Sequence, residues 1–163
     1  MTRSVPESPV MLSVFDRLID FEPRNSRELP LTRAQSVHRL KESVRRDLEW
    51  LLNTRLVAVP PDERLREVNR SLYVYGLPDF SAYSLSNPED QTRLVRHLQA
   101  AIQRFERRLA KVRVAPAEAA SGDTRTLRFR IEALLVMDPA PEHITFDTVL
   151  QLTSGEYEVA NAG

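Results

Sequence analysis

The sequence has no cysteine, only four glycines and only two lysines, Lys41 and Lys111, among its 23 basic residues. Without thiols, disulfide scaffolds, thiolate zinc sites and thiol catalysis are excluded. The glycines stand at positions 76, 122, 155 and 163, with none of the spacing of a phosphate-binding loop, so nucleotide binding of that kind is not expected. No apolar run approaches the ~20 residues of a membrane-spanning helix. The opening Met1 to Pro9 also lacks the apolar stretch of a signal peptide. Membrane insertion is therefore not expected, and the cytoplasm is the expected location. Net charge is missing too: 23 basic residues balance 23 acidic ones, which removes any general pull toward nucleic acid or anionic lipid.

What remains is an ordinary globular composition, 163 residues with 42% hydrophobic and 28% charged side chains, enough for a core without metal or disulfide. The charges are unevenly placed. Arg93 to Arg113 holds seven basic residues and one acid, Glu106, whereas Asp138 to the C-terminus holds five acids and no Lys or Arg. Arginine makes bidentate and stacked contacts at protein interfaces, although genomic composition bias gives the same excess.

Val10 to Asp20 carries Met11, Leu12, Phe15, Leu18 and Ile19 at helical spacing. Glu22 to Leu31, with Pro23 and Pro30, reads as a linker. Thr32 and Gln35 have capping-box spacing and mark the next helix start. Val37, Leu40, Val44, Leu48 and Leu51 fall within about 40° of one line on a helical wheel. Trp50 lies roughly 120° from that stripe; it either packs against another element, the usual fate of a large aromatic, or is left for a partner. Tyr73 to Asp79 ends in a Gly and Pro turn. Asn87-Pro88-Glu89-Asp90 is a strong helix start, and Leu94, Leu98, Ala101, Ile102, Phe105 and Leu109 form one face of the long helix after it.

The period then changes to two. Val112 and Val114 alternate with Lys111 and Arg113; Leu127, Phe129, Ile131, Ala133, Leu135 and Met137 alternate with Arg128, Arg130 and Glu132. Ile144, Phe146, Thr148, Leu150 and Leu152 do the same, and Ser154-Gly155 turns into Tyr157 and Val159. The expected fold class is α+β: N-terminal helices, one long central helix and a C-terminal antiparallel sheet. Residues 1–31 form an N-terminal segment with a short helix and linker, and residues 32–163 a single α+β domain.

Chemistry is hard to find. His38, His97 and His143 lie on separate elements with no i, i+4 pair, and no serine sits in a nucleophile-elbow context. Two carboxylates could meet as a glycosidase pair, but any chain with 23 acids offers that. No catalytic, cofactor or metal site is expected. The Arg93 to Arg113 segment could track phosphates, yet its aromatics are limited to Phe105 on the buried stripe, and nucleic acid is not an expected partner.

The sharpest pattern is Arg104-Phe105-Glu106-Arg107-Arg108-Leu109. In a helix Glu106 has Ile102, Gln103, Leu109 and Ala110 at three and four residues, none of them basic. In an extended chain Arg104, Glu106 and Arg108 share one face. An acid fixed among arginines at a helix-to-strand junction suggests a recognition element that exchanges charge-assisted hydrogen bonds with another chain; a solvated helix end is the plainer account.

Several segments together, SVFDRLID from Ser13, SVRRDLEWLLNTR from Ser43, SLYVYGLPD from Ser71, FERRL from Phe105, LRFRIEALL from Leu127 and ITFDTVLQLTSGEYEV from Ile144, resemble the TssE family of baseplate subunits of bacterial type VI secretion systems. That family is similar to wedge proteins of contractile phage tails, often labelled lysozyme-like. The resemblance implies a non-enzymatic cytoplasmic subunit that joins the baseplate wedge to the first sheath ring. It implies other wedge subunits and sheath proteins as partners, in a hexameric arrangement. The family's Glu-Pro-Arg signature falls on Glu106, Arg107 and Arg108, with Arg107 in place of the proline; proline would force its predecessor out of the helix, and Arg107 does not.

The resemblance further implies that the C-terminal strands template the sheath; edge strands carry unpaired N–H and C=O groups that an incoming strand can meet, with register fixed by alternate side chains. The expected interface comprises Arg104, Glu106, Arg107, Arg108, Trp50, Ile144, Phe146 and Leu150. The alternative function, a peptidoglycan hydrolase, rests on the lysozyme-like label alone.

Overall fold

The structure is a computed structural model, and residues 9–19, 23–24, 31–80, 83, 87–117, 126–151 and 154–161 are described. The chain divides into two compact units, residues 1–44 and 45–163. The division falls inside a helix.

In the first unit, α1 (Val14–Leu18) is capped by Ser13, whose Oγ accepts from the Asp16 N–H. Its apolar side chains Val14, Phe15 and Leu18 stay exposed, as does Met11; the helix is shorter than its hydrophobic period suggests. The start of α2 (Arg33–Asn53) is the expected capping box. Gln35 N–H donates to Thr32 Oγ1 at 3.3 Å, and Thr32 N–H donates back to Gln35 Oε1 at 3.0 Å. Ser36 and Ser43 are buried here with partners: Val10 N–H donates to Ser36 Oγ at 2.9 Å and Ser43 Oγ donates to Asp16 Oδ2 at 2.7 Å.

The second unit holds the end of α2, two short 3-10 turns (Val68–Arg70 and Leu72–Val74), α3 (Pro88–Phe105) and strands β1 (Leu109–Ala117), β2 (Thr126–Leu135), β3 (Glu142–Gln151) and β4 (Tyr157–Asn161). The four strands form one antiparallel sheet in chain order. Helix α3 starts where the sequence indicates: Asn87 Oδ1 accepts from Glu89 N–H at 3.0 Å and Pro88 opens the first turn. It buries Leu94, Leu98, Ala101 and Ile102 and packs beside β1. Its expected continuation to Leu109 does not occur; the last helical residue is Phe105, and Leu109 already pairs with Leu135.

The alternating pattern of β2 to β4 translates directly into an inner face: Ile131 opposite Phe146, Phe129 opposite Thr148 and Thr148 opposite Val159. All five are buried. Met137 lies beyond β2, and Leu152 falls outside the described residues. Strand β1 departs from strict alternation. Leu109 pairs with Leu135 but Val114 with Ile131, so β1 contains one residue more than β2 over this stretch, and Lys111 takes a left-handed φ of 52°. The bulge lets Leu109 and Val112 both face inward with Lys111 exposed.

Thr148 brings a hydroxyl into this core with no hydrogen-bond partner among the described residues. An unsatisfied buried polar group is unfavourable. Thr148→Val is therefore expected to raise stability, by up to about 1 kcal/mol in urea unfolding; a variant less stable than the parent would show that the hydroxyl is satisfied.

Candidate functional site at the end of the long helix

The chain leaves α3 through a tight turn. Glu106 N–H donates to Ile102 C=O at 2.9 Å, closing the last helical turn, and Leu109 N–H donates to Glu106 C=O at 3.2 Å as β1 begins. Glu106 has φ −103° and ψ 85°, outside the helical region. A non-proline residue at 107 thus allows the same departure from helix that proline would enforce.

The turn folds Arg108 back onto Glu106. Arg108 backbone N–H and Nε donate to Glu106 Oε1 at 3.0 and 2.8 Å, and Arg108 Nη2 contacts Glu106 Oε2. The same Nη2 donates to Asp47 Oδ2 on α2 at 2.6 Å. Asp47 in turn accepts from Arg46 Nε and Nη2 at 3.0 and 2.9 Å, and the Arg46 guanidinium lies over the Trp50 ring at 5.0 Å. A line of alternating charge therefore runs from Glu106 to the exposed indole. Burial alone would lower the Arg108 pKa, but hydrogen bonds and charge from Glu106 and Asp47 outweigh it and hold the guanidinium above its usual range. Tyr75, edge-on to Phe105 at 5.1 Å, is pushed up by its burial and then by Asp47 and Glu106.

The structure sorts the expected interface residues. Glu106 is only 6% exposed and its carboxylate is engaged within the chain, where it fixes the turn. Arg107 and Arg104 are exposed, Arg104 standing 5.3 Å from the Phe105 ring. Trp50 is 52% exposed rather than in the core. Ile144, Phe146 and Leu150 are buried on the inner sheet face. The outward residues of β3 are Thr145, Asp147 and Val149, with Asp147 accepting from Arg130 Nε at 3.1 Å.

Residue pattern gave no sign of what happens at the sheet edges. Asn53, the last residue of α2, donates through Nδ2 to Tyr157 C=O at 2.8 Å and accepts through Oδ1 from Tyr157 N–H at 2.8 Å. Arg45 Nη1 donates to Val159 C=O at 3.2 Å. On β1, Val114 N–H donates to Gln99 Oε1 at 3.2 Å and Gln103 Nε2 donates to Val112 C=O at 3.3 Å. Side chains from the helices thus meet backbone groups at both edges. Among the described residues no group of His, Asp and Glu could hold a metal ion, and no helix is long and apolar enough to cross a membrane.

A family model described as baseplate wedge protein gp25 matches residues 38–140. That span reaches from α2 to the β2–β3 connection and contains the whole charged junction. The chain belongs to the gp25 baseplate wedge family. No curated protein matches it. As a member of this family the chain is a structural baseplate protein.

Proposed function

We propose that the chain is a cytoplasmic, non-enzymatic baseplate subunit of a type VI secretion machine. It joins the wedge to the first sheath ring, with copies arranged hexamerically, and its C-terminal strands template the sheath. The observation that carries this reading is the position of β4. It is a sheet edge paired by backbone on the β3 side, while α2 side chains meet Tyr157 and Val159 on the other. An added strand there would gain main-chain hydrogen bonds and a register set by alternate side chains. The wedge-facing surface is the junction, where Arg104, Arg107 and Trp50 are exposed and Glu106 and Arg108 hold the turn that carries Arg107.

Co-purification with candidate wedge and sheath subunits tests both halves. Arg107→Glu, at an exposed position, is expected to leave folding intact and abolish recovery of the wedge subunits, and sheath binding is expected to slow amide exchange along β4. Normal wedge recovery by the Arg107 variant, or a sheath footprint that spares β4, would remove the corresponding half.

A further inference from the structure

We infer that Asn53 and Arg45 form a displaceable latch on the outer edge of β4, closing in the isolated chain the backbone groups that strand addition would use. The inference deepens the templating role of β4 by naming what regulates it.

A planar carboxamide offers one acceptor and one donor side by side, the same pair that a residue of a neighbouring antiparallel strand offers. Asn53 meets both backbone groups of Tyr157 in this way, at 2.8 Å each. It is an imitation strand one residue long. Arg45 extends the cover to Val159 C=O, and is itself steadied by Glu49 at 2.9 Å.

The two sheet edges are closed unequally. On β1 the glutamines reach out from a helix that packs directly beside the strand. Asn53, by contrast, is an exposed terminal residue of α2, and its two bonds can be exchanged one for one with those of an incoming backbone. The β4 edge is therefore the one that opens at least disadvantage. Beside it lies a cavity of about 340 Å³ lined by Asn53, Arg55, Leu77, Leu150 and Tyr157. The Tyr157 hydroxyl is buried with no hydrogen-bond partner among the described residues, and burial pushes its pKa up. Release of Asn53 would thus free a backbone pairing site next to a space able to take a side chain of the added strand.

The test uses the full chain with Asn53→Ala and Asn53→Asp. Aspartate keeps the shape and the acceptor for Tyr157 N–H, but sets an oxygen against Tyr157 C=O where a donor belongs. Asn53→Ala is expected to exchange the Tyr157 amide at least about fivefold faster than the parent, whereas Asn53→Asp, which keeps that acceptor, loses only the bond to Tyr157 C=O. The Gln151 amide, bonded to Glu156 C=O inside the hairpin at 2.8 Å, should be unchanged. Freed edges are expected to pair with each other, giving in sedimentation a concentration-dependent dimer that the parent does not form under the same conditions, and to bind the sheath subunit at least about fivefold tighter. Unchanged Tyr157 exchange in the Asn53→Ala variant would overturn the latch. Faster exchange with neither dimer formation nor tighter sheath binding would show that the contact gates nothing. If the sheath subunit binds neither parent nor variants, the templating role falls, and exchange with sedimentation still decides the latch.

Discussion

Replacing Arg108 by methionine is expected to lower stability by about 3 kcal/mol, toward the lower end of what breaking a buried ion pair costs. Glu106 would keep its place at the end of α3, with a side chain only 8% exposed, and would lose the partner that meets both of its oxygens. The lower figure is appropriate because Arg108 and Asp47 are 24% and 29% exposed and water can partly replace what is lost. Removing the charge at both ends with Glu106→Gln and Arg108→Met is expected to recover much of the deficit, since the penalty comes from an orphaned charge more than from the missing bond. Arg130, paired with Asp147 at side-chain exposures of 52% and 47%, supplies the comparison: Arg130→Met should change stability by less than about 1 kcal/mol. Urea unfolding of the variants measures all three. An Arg108 variant no worse than the Arg130 variant would mean that the junction is an ordinary surface cluster.

Gly76→Ala is expected to be more damaging still, with a loss of roughly 4 kcal/mol or failure to accumulate as soluble protein. Gly76 has a φ of +111°, and a Cβ built there would sit 2.4 Å from Thr54 O and 2.9 Å from Thr54 C. Neither is the tip of a movable side chain. That carbonyl accepts from Leu77 N–H at 2.8 Å, and Leu56 N–H donates to Leu77 C=O at 2.8 Å; the two bonds pin the far end of the connector to the end of α2. Backing away would break them and shift Tyr75, whose ring contacts Phe105 just before the charged turn. Gly155 separates the two components of the effect. Its φ is +72° but the nearest atom to an added Cβ is 3.9 Å away, so Gly155→Ala carries only the left-handed penalty of about 1 kcal/mol. Thermal melts of the two variants compare them, and equal losses would refute the steric argument.

Local chemistry was legible wherever a few adjacent residues decide the outcome. The capping box at Thr32 and Gln35, the Asn87-Pro88 start of α3 and the two-residue period of β2 to β4 all appear where the sequence puts them. The fold class follows from those signals alone, because a helical period that changes once to a strand period leaves few ways to bury both apolar faces. Strand β1 was half legible. Its valines alternate, but the bulge at Lys111 depends on pairing with β2 and has no glycine to announce it.

The candidate site was legible as a place and not as a mechanism. An acid among arginines stood out, yet its partners could not be read from spacing: Arg108 reaches back two residues only because the helix stops, and Asp47 arrives from a helix distant in sequence. Ile144, Phe146 and Leu150 show the reverse difficulty. Their own alternation marks them as inward-facing, so linking them to a partner went against the pattern that revealed the strand. Asn53 gave no signal at all, since an asparagine at a helix C-terminus is commonplace until the strand beside it is known.

The extra residue in β1 gives the chain one unit of slack. If Lys111 were absent, Leu109 and Ala110 would fall into the same continuous register that Arg113 to Ala117 keep with β2, and the inward set would not change. The stretch between the arginine turn and the ladder can therefore give up this one residue while the cradle ahead and the weave behind stay as they are.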